Sequence, residues 1–282
     1  MVKLGAHQSI AGGVDRALER AASIGCEAVQ MFLKNNMQWR GPALATEEIA
    51  GFHHRHRALG DGAVFAHSSY LINLASLNPR VLRPSIAAVR DEIERADALG
   101  IPFIVMHPGA HLGAGERAGL ARIARSLDQI FRGTDGSRVR LALETTAGQG
   151  TNLGYRFEHL AEIRSQVEAP SRVAVCVDTC HLFAAGYDFR TRRGYDQTWR
   201  ELEREIGTSS VVAFHLNDSK TPLGSRVDRH EHIGHGQIGA AAFRRLLRDP
   251  RWDGLPMVLE TPKGKDLRED VENLRLLREL RG

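Results

Sequence analysis

Val211-Val212-Ala213-Phe214-His215-Leu216-Asn217-Asp218 is a short apolar, β-branched run that ends abruptly in polar groups. Such a run reads as a buried strand that delivers its polar residues at its C-terminal end. The irregular segment that follows, residues 219–235, gathers histidines, carboxylates and glycines. Within it Asp228-x-His230 has period two, so in an extended chain both side chains point to one side and can share an ion. Carboxylate and imidazole together suit zinc or a similar divalent metal. A solvated polar loop would carry the same residues, since His-rich tracts often bind nothing. The rest of the chain decides between the two.

The same pattern, an apolar run and then a polar terminus, recurs from end to end. Strands are expected at residues 4–7, 28–32, 64–67, 103–107, 139–144, 173–178, 211–215 and 257–260. Amphipathic stretches separate them. The first buries Val14, Ala17, Leu18, Ala21 and Ala22 and ends before Gly25. Another opens at Thr46, with Glu48 nearby, and stops at Gly60. Further helices are expected at residues 80–99, 116–131 and 266–280. Eight strand–helix units without a break in composition indicate one domain, residues 1–282, closed as a (β/α)8 TIM barrel. The open doubly wound sheet is the rival, but no Gly-x-Gly-x-x-Gly follows the first strand.

Bulk composition narrows the class. At 282 residues and 42% hydrophobic, the chain can build a sizeable core. Its formal charge is +4, a mildly basic balance that permits a nucleic-acid partner without requiring one. Of 38 basic residues 5 are lysines, leaving 38 − 5 = 33 arginines, an excess that fits phosphate contact and equally fits genome composition. Three cysteines are too few for a disulfide framework; Cys176 and Cys180 flank Asp178 but are read as small buried hydrophobes. No signal-like segment opens the chain and no apolar run reaches membrane-spanning length, so a cytoplasmic protein is expected.

Position then matters more than residue type. The expected strands three to eight end in His67, His107, Glu144, Asp178, His215 and Glu260. His181 follows Asp178 by three residues, and Asp228 and His230 lie in the seventh loop. In a barrel these strand ends form one rim, where active sites are built. One such histidine alone usually bonds to backbone, and one such carboxylate often caps a helix. A whole rim of them without a cation would be strongly unfavourable. The set exceeds what one tetrahedral ion needs, which implies two or three metals sharing a carboxylate. Such ions can lower the pKa of a bound water to about 7 and attract an anion such as phosphate, so hydrolysis by metal-bound hydroxide is expected. No Gly-rich phosphate loop, Gly-x-Ser-x-Gly elbow or Cys–His nucleophile competes with that reading.

With these residues in view, the chain resembles the endonuclease IV family of apurinic/apyrimidinic endonucleases over nearly its whole length. The blocks that carry the resemblance are Gly5-Ala6-His7, His67-Ser-Ser-Tyr70-Leu71-Ile72-Asn73-Leu74, His107-Pro-Gly, Glu144-Thr-Thr-Ala-Gly-Gln-Gly, Cys176-Val-Asp178-Thr-Cys-His181-x-Phe-Ala-Ala-Gly-Tyr-Asp, His215-Leu-Asn-Asp-Ser-Lys and Gly-Ser-Arg-Val-Asp228-Arg-His230. The resemblance implies a DNA-repair enzyme that cuts duplex DNA 5′ to abasic sites, leaving a 3′-hydroxyl and a 5′-deoxyribose phosphate. It implies three zinc ions, with manganese or iron as substitutes at some sites. His67, His107 and Glu144 would hold the first; Glu144, Asp178, His215 and Glu260 the second; His181, Asp228 and His230 the third. Glu144 and Glu260 would also be catalytic, steering the attacking hydroxide. Asn35, Met37, Gln38, Tyr70, Leu71 and Asn73 would contact DNA, with Gln38, Tyr70 and Leu71 inserting as the abasic nucleotide flips out. Met37 stands where family members often have arginine, which removes a cationic contact. A monomer with no obligatory protein partner is expected.

A divalent-metal sugar isomerase or epimerase is the alternative enzyme class, since such barrels also gather His, Glu and Asp at the rim. It needs fewer ligands and leaves Asp228-x-His230 and the loops around Trp39 and Tyr70 unexplained. A zinc-dependent binder of damaged DNA would use the same ligands without turnover.

Overall fold

The strand runs pair in parallel because each is followed by a helix long enough to cross back over the sheet. The computed structural model, which describes residues 1–282, closes them into a barrel. Around it run β1 (Lys3–Gln8), β2 (Ala28–Phe32), β3 (Ala63–His67), β4 (Phe103–Met106), β5 (Arg140–Glu144), β6 (Val173–Asp178), β7 (Val211–His215) and β10 (Pro256–Leu259), with β10 closing onto β1. The expected TIM barrel is the observed fold.

Register explains how polar ends meet. Alternate residues of a strand face alternate sides. Phe65, Val105, Ala142, Cys176, Ala213 and Val258 belong to the small apolar cluster inside the barrel. Two residues on from each come His67, His107, Glu144, Asp178, His215 and Glu260. The same inward faces therefore carry an apolar plug below and an ionisable layer above. Pairing sets Asp178 beside His215, while Glu144 lies beside Cys176, so the layer is staggered between β5 and β6. The outward faces pack against the helices in a second, much larger core that includes Leu141, Leu143, Trp199, Phe214 and Trp252.

Beyond β7 the chain forms a two-residue antiparallel ribbon, β8 (Asp218–Ser219) with β9 (His230–Glu231). Asp218 holds it: its carboxylate accepts from the N–H groups of Gly234, Ile238 and Gly239 at 3.0, 2.9 and 3.2 Å. The seventh loop is thus folded back over the rim, which brings Asp228 and His230 to the other ligand-type residues.

The local expectations that failed are informative. Ala22 is exposed, because the first helix (α1, Val14–Ser23) turns it away from the barrel. By contrast, α2 (Thr46–Ala58) opens at Thr46 as expected, and the Glu48 carboxylate accepts from the Ala45 N–H at 2.9 Å. Trp39, in the polar loop after β2, is half-buried against the main core. The last helix starts at Arg268, two residues later than expected, after Leu267 takes a left-handed turn at φ 59°.

Candidate metal centre

Glu144, at the end of β5, is the hub. It is wholly buried, and its two oxygens face four imidazoles. Oε2 lies 3.2 Å from Nε2 of both His67 and His107. Oε1 lies 3.0 Å from Nδ1 of His215 and 3.1 Å from Nδ1 of His181. His215 also approaches Glu260 at 3.2 Å and Asp178 at 3.8 Å. Asp228 reaches down from the seventh loop to His181 at 3.0 Å and His230 at 3.2 Å. The residues expected at the rim are therefore in one place. Their ligand atoms form sets within 4.8 Å of one another: His67–His107–Glu144, Glu144–Asp178–His215–Glu260, Asp178–His181–His230 and Cys180–Asp228–His230. Cys180 fits poorly as a ligand, since burial pushes its thiol up to about 12 and keeps it protonated.

The other ring nitrogens decide what these contacts mean. His67 Nδ1 lies 2.8 Å from the Ser68 carbonyl, His181 Nδ1 2.9 Å from the Thr145 carbonyl, and His230 Nδ1 3.2 Å from the Glu260 carbonyl. His215 Nε2 lies 2.7 Å from Gln30 Oε1. A carbonyl only accepts, so each of these nitrogens carries the proton. In a neutral imidazole the remaining nitrogen then presents a lone pair, and in every case it points at a carboxylate oxygen. Lone pair against carboxylate is repulsive unless a cation lies between them or every ring is protonated. Orienting the ring through its far nitrogen is how metal-bound histidines are held. His230 Nε2 adds to this: it is buried and finds no acceptable hydrogen-bond geometry. The donor set, imidazole nitrogens with carboxylate oxygens, fits zinc-like divalent cations.

Without ions, the charges must compensate one another. Burial alone would raise the Glu144 carboxyl, but His215, His107 and His181 hold it well below the usual carboxylate range. Burial likewise acts against protonation of His230, yet Asp178 and Asp228 raise it to about 9. Glu260 is drawn down to about 2 against its burial, chiefly by His215. A cluster that pulls protons this strongly onto its imidazoles is one where cations would take the protons' place.

Sequence reasoning missed a second tier of groups. Gln30 in β2 is buried beneath Glu260 and His215. His7 at the end of β1 accepts from Gln30 at 2.9 Å, and burial lowers it to about 3, so it stays neutral. Asn217 donates to Asp178 Oδ2 at 2.6 Å and accepts from the Glu260 N–H at 3.0 Å, tying β7 to β10. The signal for Gln30 was present: an amide in an otherwise apolar strand, in the inward register two residues after Ala28.

The loops expected to meet DNA surround this centre. Met37 and Tyr70 are 66% and 60% exposed. Gln38 and Asn35 are exposed and Leu71 is half-buried. Tyr70 stands next to the centre, its ring 5.7 Å from that of His67. The amide oxygens of Asn35 and Asn73 are engaged locally: Asn35 Oδ1 accepts from the Met37 N–H at 2.9 Å, and Asn73 Oδ1 accepts from the Ala75 and Ala110 N–H groups at 3.0 Å. A cleft of about 330 Å³ runs between Tyr70, His67 and His107 to Asn152. No helix is long and apolar enough to cross a membrane.

Comparison with known proteins agrees with this architecture. A family described as a xylose isomerase-like TIM barrel matches residues 18–280. The chain is 51% identical over 280 residues to the probable endonuclease 4 of Chloroflexus aurantiacus, covering 99% of this chain and 98% of that one. It is 47% identical over 277 residues to the probable endonuclease 4 of Geotalea daltonii, covering 98% and 97%. The crystal structure of endonuclease IV from Thermus thermophilus, 36% identical, superposes with a TM-score of 0.87 over 99% of this chain and 98% of that chain. A D-tagatose 3-epimerase-like protein shares the fold, with a TM-score of 0.75 at 20% identity.

Proposed function

The chain belongs to the endonuclease IV family and is a nuclease, and from that premise we propose that it hydrolyses duplex DNA on the 5′ side of abasic sites with three zinc ions. The observation that carries the reading is the orientation of His67, His181, His215 and His230: the far nitrogen of each donates to a carbonyl oxygen, and the near one faces a carboxylate. His67, His107 and Glu144 would hold one ion; Glu144, Asp178, His215 and Glu260 a second; His181, Asp228 and His230 a third. Bound there, zinc supplies Lewis acidity, lowering the pKa of water and neutralising charge on phosphate oxygens.

The protein's own groups do the remaining work. Glu260 is the more exposed carboxylate of the pair, at 15% against 0% for Glu144. It is the better placed to accept a proton from the attacking water, while Glu144 would be shared by two of the ligand sets. Gln38, Tyr70 and Leu71 would wedge into the stack while the abasic nucleotide leaves it. That costs least where the base is already missing. The epimerase reading is supported by fold alone, because its solved relatives share 20% identity or less.

The test is a duplex with one tetrahydrofuran abasic analogue, incubated with and without chelator, alongside elemental analysis. A single nick 5′ to the analogue with a polymerase-extendable 3′ end is expected, lost on chelation and restored by zinc. Metal-loaded protein that binds the duplex without nicking it, or that turns over ketohexoses instead, would contradict the proposal.

A further inference from the structure

Gln30 sits at the middle of β2, fully buried, with its side chain in the inward register of the barrel. Its amide touches Glu260, His7 and His215 at once. Nε2 lies 2.5 Å from Glu260 Oε1 and 2.9 Å from His7 Nδ1. Oε1 lies 2.7 Å from His215 Nε2. A carboxylate only accepts, so the nitrogen must face Glu260 and the oxygen must face His215; the amide has one workable orientation. That orientation obliges His215 to carry its proton on Nε2 and to turn Nδ1 toward Glu144, Glu260 and Asp178.

We infer that Gln30 is a positioning residue of the centre: one amide sets the tautomer of His215 and anchors Glu260, so that both present their ligand atoms to the same cation. The inference rests on the zinc reading of the site. It assigns a part in metal retention to a strand whose end carries no ligand. His7 completes the clamp, because its Nδ1 takes the second N–H of the amide and leaves Gln30 no freedom to flip. Groups that orient ligands in this way typically alter metal affinity or activity by about 10–100-fold when removed.

The experiment compares wild type, Gln30→Leu and Gln30→Glu. Zinc per chain is measured after dialysis against chelators of graded strength, and nicking of an abasic duplex is measured with and without added zinc. Gln30→Leu removes all three hydrogen bonds of the amide; the ion shared by Glu144, Asp178, His215 and Glu260 should be lost first, with affinity lowered roughly 10–100-fold. The kcat should fall, KM for DNA should hold, and excess zinc should restore part of the rate. Gln30→Glu is nearly isosteric and serves if the leucine variant does not fold: it keeps the acceptor for His215 but repels Glu260, and should also release that ion more readily. Wild-type zinc affinity in a folded variant overturns the role of Gln30, as does a fall in thermal stability with zinc retention unchanged. Wild-type protein that holds no zinc overturns the metal reading itself, and this inference with it.

Discussion

Replacing Glu144 by glutamine tests the shared-carboxylate geometry directly. The substitution keeps the shape and removes one charge from a side chain whose two oxygens face His67 and His107 on one side and His181 and His215 on the other. Because Glu144 belongs to two of the candidate ligand sets, the variant should lose two ions together. A unit charge about 4 Å from another at an effective dielectric of about 20 contributes about 4 kcal/mol. A divalent ion at that range or closer would feel at least as much, so affinity at each of the two positions should fall by roughly a thousandfold or more. The amide nitrogen would also turn a donor toward a lone pair or a cation. Elemental analysis should find about one zinc per chain in Glu144→Gln, held by His181, Asp228 and His230. Asp228→Asn should lose only that remaining ion and retain the other two. Nicking by Glu144→Gln should drop by at least about a thousandfold, since each tenfold corresponds to about 1.4 kcal/mol of transition-state stabilisation. A Glu144→Gln protein that keeps its full zinc, or loses a single ion, would refute the shared-carboxylate reasoning.

Three other perturbations separate the remaining links. In metal-free protein His230 is raised from 6.5 to about 9. A folded-state value above the unfolded one gives stability that is complete below about pH 6.5 and lost as the pH climbs to about 9. Zinc competes with that proton, so the melting-temperature gap between zinc-loaded and metal-free protein should widen over this window; a gap that narrows contradicts the assignment. Gly5→Ala would place a Cβ 1.6 Å from the Ala28 carbonyl oxygen, between two paired strands that have no room to part. It should destabilise by more than about 4 kcal/mol, read as a fall in denaturation midpoint or failure to fold; a midpoint within error of wild type would show the strands can yield. Met37→Arg adds a cation to a side chain already 66% exposed beside the rim. It should tighten binding to abasic duplex or leave it unchanged, measured by titration at fixed salt, and a clear loss would show that this loop does not meet DNA.

What was legible in the chain was whatever the two-residue period of a strand controls. Inward residues of β3 to β7 and β10 alternate apolar and ionisable, so His67, His107, Glu144, Asp178, His215 and Glu260 could be assigned to one rim before any coordinates. Period says nothing about where a polar atom in a loop spends its hydrogen bonds. Asn73 stands in a polar, exposed-looking segment and reads as a contact for a ligand. In the fold its amide is engaged with Ala75 and Ala110, the latter on the next loop around the rim. Trp39 stands in a polar loop and is half-buried against a core assembled from distant parts of the chain. Gln30 is the instructive case, because it obeyed the rule and was still passed over. An amide is not a metal ligand type, so a search keyed to His, Asp and Glu skips it. The inward register makes no such distinction: two residues beyond Ala28, in the apolar plug, any side chain must enter the ionisable layer. A buried polar group there has to satisfy its donors and acceptors on its neighbours. Its neighbours are Glu260, His215 and His7, so the register alone directs an amide at that position to orienting ligands.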